Sequence, residues 1–431
     1  MSEKSRRSRR ERRERKPFPQ GFGTIWTTVA LDLVGFGIVL PILPLYAERF
    51  GASATTVGIL LSTFSIAQLL LAPVWGRVSD RIGRKPVILI SLFGTAAGSF
   101  ITGAAGSLPI LFLGRLVDGA SGASVSVAQA AVADVAEESE RPRLLGLLGA
   151  AFGLGFVAGP ALGALAALGG PHVPFYLAGC LALANAVVAI RRLPETAPAR
   201  AESAAPTGSE STAPLGGESM SNRRQRGEKL SGDVRADLWR LALCAFAATC
   251  AFAGFEATFA LFGQARFDLT LSSTGAVFAG IGLFLVLVQA GLVHPVVSRL
   301  GAVGTLRGGL TLNIVGLLLL AVAMRWPVLV LALAALIIGQ GLTTPTLASI
   351  VAGRSPHERR GGALGLQQMA GGMGRVIGPV LAGALFQHVG VGAPYVVGAG
   401  ITAGALALVL TLHERTTPAA VPSGIGHSGV T

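Results

Sequence analysis

Gly146-Leu-Leu-Gly-Ala-Ala-Phe-Gly-Leu-Gly155-Phe-Val-Ala-Gly159-Pro160-Ala-Leu-Gly163 returns 219 residues later as Gly365-Leu-Gln-Gln-Met-Ala-Gly-Gly-Met-Gly374-Arg-Val-Ile-Gly378-Pro379-Val-Leu-Ala-Gly383. In both copies eight residues separate the first two glycines and three more lead to a Gly-Pro pair. The spaced glycines and proline of the two copies part only at the end, where Gly163-Ala164 stands against Ala382-Gly383. Both lie inside apolar stretches too long for a soluble core helix. In lipid, glycine lets a neighbouring backbone come close and Gly-Pro places a bend, so the duplication implies two similar helical halves. Membrane proteins built this way are most often transporters.

Composition agrees. Hydrophobic residues make up 51% of the chain and charged residues only 13%, too few to cover a soluble protein of this length. Glycine supplies 59 of 431 residues, about twice the usual share of roughly 7%. Stretches of about 20 apolar residues, enough to cross a bilayer, fall near 23–45, 56–77, 86–105, 109–132, 144–168 and 173–192. Six more fall near 239–263, 273–293, 304–324, 328–350, 363–386 and 391–412. The fold class expected is an all-α membrane protein of twelve transmembrane helices in two pseudo-symmetric six-helix bundles, over 23–194 and 239–413.

With the N-terminus in the cytoplasm, thirty of the 35 Lys and Arg residues lie on the cytoplasmic side. Three lie outside (Arg49, Arg266, Arg325) and two within spans (Arg115, Arg375). That bias requires an even number of spans with both termini inside. It also accounts for the net charge of +13 without nucleic acid, because the bases are scattered over seven segments instead of one folded domain. The basic tail, 1–22, carries no signal-peptide pattern, so the first span is read as retained; the tail is expected to lie on anionic headgroups. Residues 195–238, rich in Ser, Ala, Gly, Pro and Glu, read as a cytoplasmic linker, and 414–431 as a cytoplasmic tail. Cys180, Cys244 and Cys250 fall within spans with no metal-type spacing and read as packing residues.

The loop after span two, Gly76-Arg77-Val78-Ser79-Asp80-Arg81-Ile82-Gly83-Arg84-Lys85-Pro86, holds one acid, four bases and two glycines. Asp80 can accept from free N–H groups at a helix start or pair with one of the bases. The loop resembles the signature between spans two and three of the major facilitator superfamily. Asp32-x-x-Gly35-x-Gly37-x-x-x-Pro41-x-x-Pro44 resembles the first-span motif of its twelve-span drug:proton antiporters. Arg115-x-x-x-Gly119-x-x-Gly122 resembles their fourth-span motif, and Gly146, Gly155, Gly159, Pro160 and Gly163 their fifth-span antiporter motif, with Ala164 in place of its last glycine. With Ala133-Asp134 and Leu193-Pro194-Glu195-Thr196, the first half is similar to the tetracycline-efflux branch. The resemblance is specific over 23–195 and looser over 239–412. It implies a gate loop formed by Gly76, Asp80, Arg81, Gly83, Arg84 and Lys85 that docks near span eleven when the cytoplasmic side is closed.

Two departures stand out. The second half's loop, His294 to Gly301, has Ser298 where the first has Asp80. In the repeat counterpart (Gly365, Gly374, Gly378, Pro379 and Gly383), Arg375 stands where the first copy has Phe156, a charge without a match in the other half.

Ionisable groups inside a membrane cost about 2.5–3.5 kcal/mol at mid-span and are functional candidates by default. Here they are Asp32, Arg115, Asp118 and Glu256. Asp32 can handle protons or pair with Arg115. Arg115 and Asp118, three apart on one helix, can neutralise each other or take part in coupling. Glu256, beside Phe255 and Phe259 in span seven, which the resemblance implies lines the central cavity, is expected to bind a proton or a cationic or polar substrate, or to form a salt bridge. Gln129, Gln289, Asn313, Gln340, Gln367 and Gln368 can contact substrate or bond between helices.

No Gly-Lys dipeptide exists for a Walker A loop, and no HExxH, paired CxxC or GxSxG pattern suggests an enzyme or a metal site. The expectation is a monomeric, multi-pass plasma-membrane transporter with no cofactor beyond protons as coupling ion, exporting hydrophobic or amphipathic small molecules. A sugar or amino-acid transporter of the same fold, and a membrane receptor or scaffold that moves nothing, remain open from sequence.

Overall fold

A computed structural model describes residues 18–19, 21–137, 140–196, 232–356 and 359–412. The expectations for the basic tail up to residue 17, for most of the 195–238 linker and for 414–431 lie outside them. Among the described residues, twelve helical segments are long and apolar enough to cross a membrane. The first half holds α1 (Phe22–Val39), α2 (Leu43–Glu48), α3 (Ala54–Ile82), α4 (Arg84–Gly103), α5 (Leu108–Ala120), α6 (Ser124–Val135), α7 (Arg141–Ala167) and α8 (Val173–Arg192). The second holds α9 (Gly232–Phe267), α10 (Leu271–Gly291), α11 (Val293–Ala321), α12 (Trp326–Arg354), α13 (Arg360–His388) and α14 (Ala393–Leu410).

Three elements differ from the sequence expectation. Span one is not continuous: the helix stops at Val39 and restarts at Leu43, between Pro41 and Pro44, because proline removes a backbone donor and crowds the preceding turn. Span four is split into α5 and α6 by Ser121-Gly122-Ala123. Span seven begins at Gly232, inside the stretch read as linker, and Asp237 in its first turns pairs with Arg240 and Arg354.

The repeated glycines do what their pattern requires over most of their length. α7 packs on α1 in its own half and on α10 across the molecule; α13 packs on α9 and on α3. A Cβ on Gly159 would lie 2.6 Å from Gly37 Cα, and one on Gly378 would lie 2.3 Å from the Cys250 carbonyl. Bulk is traded between helices where the copies differ. Ala164 faces Gly275 of α10 and Ala382 faces Gly254 of α9, while Gly163 and Gly383 face the backbone at Ile38 and Ala54.

The first glycine of each copy behaves differently. Gly146 and Gly365, with Gly149, Gly361 and Gly362, have open space around them. All five stand toward the end of the bundle that carries Gly83, Arg192 and Arg354, here called the basic end. The halves meet at the other end, where Leu45 of α2 packs on Ala260 and Leu261 of α9. There the Thr55 N–H donates to Gln387 Oε1 (3.2 Å) and Ser62 Oγ to the Val376 carbonyl (2.6 Å). The contacts between the halves thus gather at the far end, and we read the open space around these glycines as a parting of the halves at the basic end.

Candidate functional site

The break in span four is a built feature. Its loose carbonyls are each met by a side chain from a neighbouring helix: Trp75 Nε1 donates to Ala120 (2.7 Å), Gln68 Nε2 to Gly122 (3.2 Å), and Ser91 Oγ to Ser121. Ser91 Oγ also accepts from the N–H groups of Ala123 (3.2 Å) and Ser124 (3.0 Å). Free backbone groups cannot remain unpaired in lipid, and these five contacts let a helix end and restart there.

The restart faces Asp32. Ser124, first residue of α6, donates its hydroxyl to Asp32 Oδ2, while Asp32 Oδ1 has no hydrogen-bond partner among the described residues. The N-terminal end of a half-helix carries partial positive charge, which suits a carboxylate. Arg115 does not pair with Asp32. It donates from Nη1 to Asp118 Oδ2 (2.8 Å), is buried, and lies over the Phe64 ring at 4.4 Å. Of the two pairings open to Arg115 from sequence, the geometry realises the one with Asp118. Asp32 and Asp118 remain electrostatic neighbours.

Glu256 projects from α9 and is half-buried. Arg375, which had no match in the first half, acts on it electrostatically, and among the described residues the two form no ion pair within 4 Å. Asn313 reaches toward Thr343 (3.5 Å) and Gln340 toward Thr344 (3.3 Å), contacts of helix packing.

At the basic end the loop signature forms one knot. Arg84 donates to Asp134 Oδ2 (2.9 Å), to Ser79 Oγ (2.7 Å) and to Asp80 Oδ1. Of the two roles open to Asp80, it takes the pairing with a base. The helix start is served instead by Glu195, which accepts from the N–H groups of Arg84 (2.8 Å) and Lys85 (3.2 Å). Gly83 has φ +102, and a Cβ there would lie 2.4 Å from the Glu195 carboxylate, so this turn needs glycine. Gly301, its counterpart in α11, also has positive φ (70°). Gly76 and Arg81 lie in the last turns of α3 and Lys85 in the first turn of α4, so the stretch expected to be a loop is helical except at Gly83. Arg84's contacts keep it within its own half. Ser91, Ser124 and Glu195 are not among the site residues expected from sequence; Ser124 alone has a local signal, the Ser-Gly-Ala run just before it.

A family model of the Major Facilitator Superfamily matches residues 25–306 and 290–428. The chain belongs to this superfamily. Like the major facilitator proteins it resembles, it is a transporter and not an enzyme. It is 31% identical over 407 residues to tetracycline resistance protein, class E, of Escherichia coli, covering 89% of this chain and 93% of that protein. It is 28% identical over 363 residues to multidrug resistance protein 1 of Bacillus subtilis, covering 84% and 88%. Among solved major facilitator structures, the human organic anion transporter MFSD10 aligns with a TM-score of 0.66 at 26% identity, over 90% of this chain and 98% of that one.

Proposed function

We propose that this major facilitator transporter exports hydrophobic or amphipathic small molecules across the plasma membrane in exchange for protons. The relatives named for tetracycline and multidrug resistance favour export. One observation carries the coupling: Asp32, within span one, has one carboxyl oxygen bonded to Ser124 and the other without a partner. A carboxyl so placed takes a proton when water reaches it and yields it when its surroundings change. Glu256, near Arg375 but without an ion pair to it among the described residues, is the second acceptor.

The basic end faces the cytoplasm in this reading, with both termini inside, because lysine and arginine concentrate there. The opening toward that end is then the inward-facing arrangement. Substrate enters between the halves, the halves rock about the contacts of α7 and α13, and the Asp80 loop seals the cytoplasmic side when the far end opens. The unit is a monomer, and protons replace any cofactor.

The purified protein in sealed vesicles, under an imposed pH gradient, tests this. Adding tetracycline or ethidium should collapse part of the gradient while the compound accumulates, and Asp32→Asn should remove both effects. If neither compound moves and the gradient is untouched in wild type, export coupled to protons is wrong.

A further inference from the structure

Arg375 is a charged group within the spans that the coupling scheme leaves without a task. Its position on α13 follows from the neighbours of the residues around it. Gly371, Gly374 and Gly378 abut α9 at Thr249, Phe246 and Cys250. Gly372, Val376 and Pro379 abut α3 of the other half at Leu69, Ser62 and Gly58. At about 100° per residue, position 375 lies between these two faces and projects into the space between α9 and α3, the central chamber. Its side chain is exposed.

The same construction places two further residues. On α9, Glu256 lies between the face that meets α13 through Cys250 and Gly254 and the face whose Phe255 and Phe259 pack on Phe278 of α10. On α7, Phe156 lies between the glycines that abut α1 (Gly155, Gly159, Gly163) and the positions that abut α10 (Gly153, Val157, Ala164). A cation and an apolar ring thus enter the chamber from corresponding places in the two halves. Because Gly374 and Gly378 pack against Phe246 and Cys250, Arg375 stands nearer the open basic end than Glu256.

An ion pair that serves packing closes to contact, because an open one leaves both charges poorly satisfied in low dielectric. Arg375 and Glu256 stay apart. The guanidinium keeps its fork of N–H donors, a geometry that matches a planar oxyanion with two bonds at once.

We propose that Arg375 docks an acidic group on the transported molecule, a carboxylate or similar oxyanion carried on an apolar body, and that this anion makes the direct contact with the guanidinium that Glu256 does not. Phe156, on the facing wall, receives the apolar body. The inference rests on the transport reading above and narrows its substrate to amphipathic acids. An anion entering from the basic end meets Arg375 before it meets Glu256.

Three fluorescent probes with one ring system test it: dansylglycine (anion), dansylamide (neutral) and dansylcholine (cation), titrated against the full-length protein in lipid nanodiscs. Wild type should bind them in that order of strength. Arg375→Gln should weaken dansylglycine about tenfold or more, and dansylamide less than twofold. Arg375→Lys should fall between, keeping the charge but losing the fork. Glu256→Gln should tighten dansylglycine by removing a negative charge that acts on the guanidinium. Equal dansylglycine binding in wild type and Arg375→Gln overturns the proposal, as does weaker binding in Glu256→Gln. Should Arg375→Gln not fold, the wild-type order decides alone: dansylcholine or dansylamide ahead of dansylglycine refutes it. Vesicle uptake separates the two readings. Arg375-dependent binding without transport leaves the anion site standing and removes the exporter. Proton-driven uptake of dansylcholine but not dansylglycine does the reverse.

Discussion

Ser124 reaches from the first turn of α6 to Oδ2 of Asp32, joining the break in span four to the carboxyl group of span one. The bond ties the position of that carboxyl to a helix end held by Ser91. Asp32→Asn should abolish proton-driven accumulation and leave downhill movement of substrate. Ser124→Ala should be milder: a hydrogen bond to a charged group contributes about 1.5–3 kcal/mol, so the rate should fall roughly tenfold and the pH midpoint of uptake should move. Initial uptake rates across a pH series read both. Unchanged profiles in Ser124→Ala would sever this link.

Gly159 and Gly146 belong to one motif but should respond oppositely to bulk. Gly159 lies against Gly37, so Gly159→Val should cost about 1–3 kcal/mol of stability by overpacking. Gly146 has open space, so Gly146→Leu should leave the melting temperature within a degree or two. Transport by Gly146→Leu should nonetheless be lost, because the added side chain obstructs closure at the basic end. Thermal shift assays beside uptake assays distinguish the two. Normal transport by Gly146→Leu would mean that this end does not close on α7.

Gly254 and Ala382 should be coupled. A Cβ on Gly254 would meet that of Ala382 at 3.0 Å. Gly254→Ala should destabilise, and Ala382→Gly in the same chain should recover most of the loss, with a coupling of about 1 kcal/mol. A double-mutant cycle on denaturation midpoints gives the figure; additive effects would show that the two positions do not share space.

Tyr46, fully buried at the far end, bonds to His172 Nδ1 at 2.7 Å. Burial raises its phenol from 10.0 to about 12. A group that holds its proton more tightly when folded lends stability in full below its unfolded value and loses it as pH rises through the folded one. Wild type should therefore lose thermal stability between about pH 10 and 12, and Tyr46→Phe should lose less over that window. Parallel slopes for the two proteins would place the alkaline transition elsewhere.

The twelve spans and the paired glycine helices were legible because both rest on composition and periodicity, which lipid enforces along the chain. The break at Ser121-Gly122-Ala123 was not. Serine and glycine are tolerated inside membrane helices, and what opens this one is Ser91, thirty positions away in sequence and adjacent only after folding. The same reason hid Glu195, whose role at the start of α4 was one of two assigned to Asp80: a chain-distant carboxylate reached the free N–H groups first. Arg375 looked unmatched because the comparison ran between halves, whereas its counter-charge, Glu256, sits on the next helix of its own half.

Arg84 ties Asp80 to Asp134, and Arg354 holds Asp237, each within a single half. The far-end seam is made of neutral hydrogen bonds and glycine backbone instead. Dissolved electrolyte screens charges but leaves such contacts nearly untouched. A sudden change in ionic strength should therefore leave the far-end seam of this transporter nearly unaltered.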